Sequence, residues 1–504
     1  MEIFNHILFG FYVALSPENL LYCFLGVVLG TFVGVLPGLG PVATMSILMP
    51  ITLSISPVSA IIMFAGIYYG ALYGGSTTSI LINVPGEVTS VVTCIDGYQM
   101  ARNGRAGPAL GISAIGSFIG GTISLIGVMF LAAPLATFAL RFGPPEYFAL
   151  IFLALTVVSG LAMGSPIKAL ATAALGMLTG VIGMDMQTGI PRFTLGIRTL
   201  YDGVGLVPVI MGLFGIGEIL INIEKRVEGE ILRGKIERIL PSVQDWMESR
   251  WAILRGTFIG FFLGIIPGGG ALLSTFASYV IEKRISSHPE RFGYGAIEGV
   301  AGPETANNAG GQASFVPMLA LGIPSNVVIA VLIGTLMIHG VQPGPLLISE
   351  HPEIFWGVIT SMYIGNVLLL VLNLPLIGLW VQLLKIPYIL LFPIIILFCL
   401  IGVYSLNNNV IEIFIMIFFG IIGYFMRKLE FEPAPFVMGM VLSPMMESAF
   451  RQSLTLSDGK ISVLFIRPLS AFFMIAGLSA LAFYAISWVR KQRGRWGEGE
   501  EKVW

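Results

Sequence analysis

Residues 26–40 read GVVLGTFVGVLPGLG, and residues 256–270 read GTFIGFFLGIIPGGG. Gly26, Gly30, Gly34, Pro37, Gly38 and Gly40 of the first stretch fall on Gly256, Gly260, Gly264, Pro267, Gly268 and Gly270 of the second. A glycine at every fourth position lines one face of a helix. Each ladder then runs into Pro-Gly-x-Gly, which cannot continue a helix. An apolar helix broken in the same way twice is the pattern of a transporter assembled from internal repeats.

Composition sets the medium. The chain has 504 residues, 56% hydrophobic and 11% charged, with a mean hydropathy of +0.89. Soluble domains carry about 25% charged residues, so most of this chain does not face water. Apolar runs long enough to span a bilayer recur, for example 109–130, 355–381, 386–403 and 464–489. They are continuous rather than alternating, which excludes a porin-like barrel. The expected class is therefore an all-α, polytopic helical membrane protein. A net charge of −1 gives no reason to expect nucleic acid. Three scattered cysteines and four scattered histidines have no metal-ligand spacing, and no enzyme motif is present. The expectation is a non-enzyme with no metal and no cofactor, in which the N-terminal stretch belongs to the mature protein as an interfacial helix.

Two further blocks repeat in the same order. Gly74-Gly75-Ser76-Thr77-Thr78-Ser79, followed by a break at Asn83-Val84-Pro85-Gly86-Glu87, corresponds to Asn307-Asn308-Ala309-Gly310-Gly311-Gln312 and a break at Gly322-Ile323-Pro324-Ser325. Residues 95–110 then align with 332–347. This organisation predicts a first membrane repeat over 1–225, a linker over 226–250, a second repeat over 251–489 and a charged tail over 490–504. Charge orients the halves, because Lys and Arg concentrate in cytoplasmic loops. Nothing before Arg102 is Lys or Arg, whereas Arg250, Arg255, Lys283 and Arg284 flank the second Pro-Gly element. The opposite bias predicts inverted-topology repeats with re-entrant Pro-Gly hairpins entering from opposite faces. It places the N-terminus outside and the C-terminus in the cytoplasm.

Broken helices at membrane depth leave backbone groups that protein, water or a ligand must satisfy. The ladder glycines read as helix-packing seams. The tips Pro37, Gly38, Gly40, Pro267, Gly268 and Gly270 read as a substrate site, since packing alone requires no break. Ser76, Thr77, Thr78 and Ser79, with Asn307, Asn308 and Gln312, supply neutral donors and acceptors that a membrane tolerates and a carboxylate can use. Asn83, Glu87, Glu304, Ser314, Ser325 and Asn326 are the candidates for coupling a cation. The other carboxylates near spans (Asp96, Glu146, Asp185, Glu218 and Glu447) read as interfacial or capping groups. Basic residues able to balance a polyanion are few: Arg141, Lys168, Arg192 and Arg198.

At these residues the chain resembles the large membrane subunit of the tripartite tricarboxylate transporters, the TctA family. The matching stretches are GVLPGLGP (34–41), YGGSTTSILINVPGE (73–87), GMDMQTGIPRFTLG (183–196), GIIPGGG (264–270), PETANNAGG (303–311) and LGIP (321–324). Ser325 departs from the pattern, which has glycine after Gly-Ile-Pro. The resemblance implies secondary uptake of a di- or tricarboxylate such as citrate, driven by a sodium or proton gradient across the inner membrane. It implies two partners, a small membrane subunit of about four helices and a periplasmic solute-binding protein. A stand-alone carrier for another anion, or a channel or scaffold without coupled transport, are the rival readings.

Overall fold

The computed structural model describes residues 2–36, 40–160, 165–185, 187–225, 239–266, 270–384 and 388–500. The tip residues Pro37, Gly38, Pro267 and Gly268, part of the expected linker (226–238) and the last residues of the tail (501–504) lie outside that set.

The chain is all-α. In order, the helices are α1 (Glu2–Ala14), α2 (Pro17–Val35), α3 (Gly40–Thr52), α4 (Pro57–Ile82), α5 (Val91–Arg102), α6 (Ala106–Ala139), α7 (Pro144–Gly160) and α8 (Pro166–Gly180). Next come α9 (Leu206–Ile210), continuing through a π turn at Met211–Ile216 into α10 (Gly217–Lys225), then α11 (Val243–Ile265), α12 (Gly270–Ile285), α13 (Glu298–Ala313), α14 (Phe315–Leu321) and α15 (Val327–Ile338). The remainder are α16 (Leu347–Glu350), α17 (Pro352–Asn373), α18 (Ile377–Leu383), α19 (Tyr388–Asn407), α20 (Val410–Lys428), α21 (Pro433–Leu456), α22 (Val463–Ile466) and α23 (Pro468–Glu500). Among the described residues, seven helical runs are long and apolar enough to cross a membrane: Pro17–Val35, Pro57–Ile82, Ala106–Ala139, Leu206–Glu224, Pro352–Asn373, Val410–Lys428 and Pro468–Ile486. The continuous run 355–381 of the sequence is split, because the chain turns between Asn373 and Ile377.

Two compact units emerge, residues 1–140 with 205–425, and residues 141–204 with 426–504. Each draws on both halves of the chain.

In the first unit the glycine ladders are packing seams. A Cβ on Gly26, Gly30 or Gly34 of α2 would sit 2.2, 2.4 and 2.4 Å from the carbonyl oxygens of Met63, Ile67 and Ala71 on α4. A Cβ on Gly256, Gly260 or Gly264 of α11 would sit 2.4, 2.5 and 2.5 Å from those of Gly302, Ala306 and Gly310 on α13. The same seam is thus built twice, with backbones touching where any side chain would hold them apart. Helix starts are local chemistry: Ser16 and Ser56 accept the N–H of Asn19 and Ser59 ahead of Pro17 and Pro57, the position where proline's missing N–H costs nothing. Helix α4 ends at Asn83 in the left-handed conformation, two residues before Pro85.

Helix α12 has 16 residues, about 24 Å against a hydrocarbon core of about 30 Å. Its Glu282 accepts two hydrogen bonds from Arg255 of α11, at 2.8 and 2.6 Å. That pair brings the far end of α12 back beside α11, so these two arms run antiparallel about their break.

In the second unit α8 and α21 meet through Gly176, Gly180 and Gly439, whose Cβ positions fall within 2.5 Å of the Phe436, Met440 and Ala173 carbonyl oxygens. A two-residue antiparallel ladder pairs Gly183–Met184 with Pro191–Arg192. Arg192 bonds Glu447 at 2.6 and 3.1 Å, and Arg451 joins both Glu447 and Asp185. The Gln187 backbone N–H and the Arg451 guanidinium hold the Asp185 carboxyl well below the usual carboxylate range. The pairing therefore persists above that depressed value and is lost only as pH falls through it.

Glu146, 3% exposed at its side chain, pairs with Arg467 at 2.6 Å and accepts the Gly143 N–H at 2.9 Å. Arg467→Ala would leave that carboxylate buried with a single donor. Because Arg467 is itself half-exposed, the expected cost is about 2 kcal/mol, between the surface and buried limits. Thermal unfolding in detergent measures it, and an unchanged midpoint would show the pair to be energetically silent.

Candidate functional site

Helix α13 is the axis of the site. Every residue from Gly299 to Ala313 is buried, which is unusual for a segment reading GVAGPETANNAGGQA. It packs against α4, α5, α6, α11, α12 and α14. Its small residues admit the α11 seam on one side and Gly116 and Gly120 of α6 on another. What remains facing the other neighbours is polar.

Glu304 is 1% exposed. Its carboxyl is met by hydroxyls from three helices: Ser76 of α4 at 2.5 Å, Thr93 of α5 and Ser113 of α6 at 3.0 Å. One turn on, Asn308 donates from Nδ2 to Ser117 Oγ at 2.7 Å and to the Glu304 carbonyl at 3.3 Å, while its Oδ1 has no partner. Asn307 and Gln312 are 0% and 1% exposed, and neither atom of either amide is hydrogen-bonded among the described residues. Five amide atoms on one helix are therefore buried without a protein partner among the described residues. Burying such a group costs about 1–3 kcal/mol each, a cost that folding alone does not explain.

The other expected residues divide by role. Thr78 donates to the Val35 carbonyl at 2.9 Å, satisfying the end of α2. Ser79 ties the end of α4 to Ser90 through its carbonyl and hydroxyl, at 3.0 and 2.9 Å. Thr77 lines, with Tyr73, Ser113 and Asn373, a cavity of about 10 Å³, room for about one water. Gly40 and Gly270 open α3 and α12 at φ +55° and +49°, a left-handed conformation that favours glycine. A Cβ on Gly40 would meet nothing, and one on Gly270 would face Asn326 Nδ2 at 3.5 Å. The second-half break therefore lies beside the start of α12.

Among the cation-coupling candidates, Glu87 is a helix cap, accepting the Thr89 N–H at 2.8 Å in a reciprocal capping box with Ser90. Asn326 caps α15 through Ile329 N–H at 3.0 Å and donates to the Tyr68 hydroxyl at 3.0 Å. Ser325 reaches the Ser314 carbonyl at 3.1 Å, and Ser314 the Gly311 carbonyl at 2.6 Å. Asn83 is the exposed, left-handed end of α4. The structure therefore joins Ser76 and Asn308 to Glu304, places Asn307 and Gln312 on the same buried helix, and leaves Asn83 outside this group. Of the basic residues considered for a polyanion, Arg192 is paired with Glu447, and Lys168 donates to the Leu429 carbonyl.

Thr93, Ser113, Ser117, Tyr68 and Tyr73 were not among the expected site residues. A signal for part of them exists: Ser113, Ser117 and Ser124 recur at helical spacing within an otherwise apolar run, and all three hydroxyls face α13, Ser124 donating to the Ala309 carbonyl at 2.7 Å.

Comparison with known proteins agrees with this architecture. Residues 20–438 match the family described as tripartite tricarboxylate transporter TctA family. A protein of Agrobacterium vitis described as "Uncharacterized 52.8 kDa protein in TAR-I ttuC' 3'region" is 48% identical over 495 residues, 98% of this chain and 99% of that relative. A second, described as "Uncharacterized protein in TAR-II ttuC' 3'region" from the same organism, is 47% identical over 234 residues, 46% of this chain and 97% of that relative. No solved structure matches. A polytopic helical chain with doubled glycine seams and a buried amide row, matched over most of its length, belongs to the tripartite tricarboxylate transporter TctA family, whose members are the large membrane subunit.

Proposed function

We propose that this protein is the permease of a binding-protein-dependent carrier that takes up a di- or tricarboxylate, or a related organic acid, by coupling to an ion gradient. The observation that carries the reading is the row of unpartnered amides at Asn307, Asn308 and Gln312. Amide N–H groups donate to a carboxylate, and amide oxygens accept from a hydroxyl or an acid proton. The row serves a substrate that bears both. The row is buried on a helix enclosed by other helices, so substrate reaches it when helices part. That closed state is one stage of an alternating-access cycle, with the two repeats in inverted topology on either side of the site. Gly40 and Gly270, each at a helix N-terminus whose dipole favours an anion, complete the ligand set. A small membrane subunit and a periplasmic binding protein act with the chain in the inner membrane, its N-terminus outside and its C-terminus in the cytoplasm.

The test is accumulation in proteoliposomes containing the chain with its small subunit and binding protein, using labelled citrate, malate and succinate. Uptake above the external concentration, abolished when ionophores collapse the gradients and when the binding protein is omitted, is the expected result. Uptake without the binding protein would indicate a stand-alone carrier. Equilibration without accumulation would indicate a channel.

A further inference from the structure

Asp96, Glu146, Asp185 and Glu447, carboxylates near spans, are each held by backbone N–H groups or by arginine. Asp96 accepts the N–H groups of Gly293, Gly295 and Ala296 and the Tyr279 hydroxyl. Glu146, Asp185 and Glu447 face Arg467, Arg451 and Arg192. Glu304 differs. It is fully buried on a helix surrounded by helices, and its carboxyl is met by three neutral hydroxyls. A lone carboxylate in such surroundings carries a large desolvation cost that hydroxyls do not neutralise.

Burial without a cationic partner favours a proton on the carboxyl, and the hydrogen-bond inventory accommodates one. Ser76 has one hydroxyl hydrogen and two acceptors in reach, the Leu72 carbonyl at 3.0 Å and Glu304 Oε2 at 2.5 Å. If Ser76 donates to Leu72, the short contact to Oε2 is made by a hydrogen on Glu304. The relay then runs from Glu304 O–H to Ser76 Oγ, and from Ser76 O–H to the Leu72 carbonyl, while Thr93 and Ser113 donate to the two carboxyl oxygens.

We propose that Glu304 is the proton-binding site through which this permease couples carboxylate uptake to a proton gradient. The inference rests on the transport reading above and specifies its coupling ion. Binding forms an O–H bond on Glu304, and release returns that proton to water as the substrate leaves on the other side. Nothing is oxidised or reduced. The coupling is electrostatic. Asn308 lies one helical turn from Glu304, about 6 Å along the axis. An ionised Glu304 repels a carboxylate on the amide row by an amount worth roughly 100-fold in affinity at an effective dielectric of about 20. Reciprocally, bound substrate favours the protonated carboxyl by the same factor.

Other ionisable groups come from each element packed against α13. They are Tyr73 on α4, Glu87 ahead of α5, Cys94 and Asp96 on α5, Arg255 on α11, and Tyr279 and Glu282 on α12. Helices α6 and α14 present none. Asp96 is saturated by its four donors and Glu282 by Arg255. Glu87 is engaged as a cap. None of these is placed, as Glu304 is, in direct contact with the polar face of α13.

The experiment compares wild type with Glu304→Gln in proteoliposomes holding the complete complex, with citrate, malate and succinate as probes. For wild type, an inward proton gradient drives accumulation without sodium, and affinity falls as pH rises. For Glu304→Gln, proton-driven accumulation falls roughly tenfold or more and the pH profile of substrate affinity flattens. Infrared pH-difference spectra of the complex without substrate give a second readout: a protonated-carboxyl band in wild type that is absent from Glu304→Gln. Accumulation driven only by a sodium gradient, an unaltered pH profile in the variant, or no such band in wild type each overturns the proposal. If no probe is taken up by wild type, the transport reading fails on its own, and the infrared band still decides the protonation of Glu304.

Discussion

Replacing Asn307 by leucine is expected to abolish carboxylate uptake while making the protein more stable. The two side chains share the same branching at Cγ, so leucine follows the path of the amide, although its methyl groups are bulkier. Asn307 is fully buried with both amide atoms unpartnered. Removing a buried group that lacks partners relieves its desolvation cost, about 1–3 kcal/mol. The gain is measured as a rise in the thermal unfolding midpoint of the detergent-solubilised chain, and the loss as uptake reduced at least roughly tenfold at equal abundance. A structural amide behaves in the opposite way. Thr78→Val removes a hydroxyl that satisfies the Val35 carbonyl, so it should lower stability by about 1 kcal/mol and affect uptake only in proportion to lost protein. If Asn307→Leu instead lowers the midpoint, the amide is part of the scaffold and the binding role assigned to it is wrong.

Gly260→Leu, and equally Gly30→Leu, is expected to prevent accumulation of folded protein. At Gly260 a Cβ would lie 2.5 Å from the Ala306 carbonyl oxygen and 2.7 Å from the Ala309 Cβ; at Gly30 it would lie 2.4 Å from the Ile67 carbonyl oxygen. The obstacles are backbone and Cβ atoms, which have no rotamer to move out of the way. Opening either seam separates two helices along several turns and forfeits their dispersion contacts, a cost of about 3 kcal/mol or more. Membrane abundance measured by fluorescence size-exclusion should fall at least roughly tenfold. Gly40→Ala is the contrast. Its φ of +55° adds about 1 kcal/mol of strain, but no neighbour lies within 4 Å of the new methyl. Equal abundance loss at Gly40 and Gly260 would mean that the tip and the ladder serve the same structural purpose.

These predictions mark the boundary between what was legible in the amino-acid order and what was not. The helical membrane class, the doubled glycine ladders and the breaks after them follow from sequence alone. Hydropathy over about 20 residues, i,i+4 spacing and proline geometry act within one segment and need no knowledge of neighbours. The packing role of the ladders was legible for the same reason, since a glycine row without polar residues has little else to offer a membrane helix.

The division of labour among the polar residues was settled by tertiary structure. Glu87 and Glu304 both stand beside breaks and look equivalent in the chain, yet one caps a short helix and the other is enclosed by hydroxyls of three helices. Thr78 and Ser76 are two residues apart, and one closes the end of α2 while the other reaches Glu304. A hydroxyl or amide has the same sequence signature whether its partner is its own helix, a neighbouring carbonyl or nothing at all. Which of these holds depends on the group opposite it, often more than 200 positions away in the chain, as Ser76 is from Glu304. The concentration of unpartnered amide atoms at Asn307, Asn308 and Gln312 is visible only once the partners of the other polar groups are known.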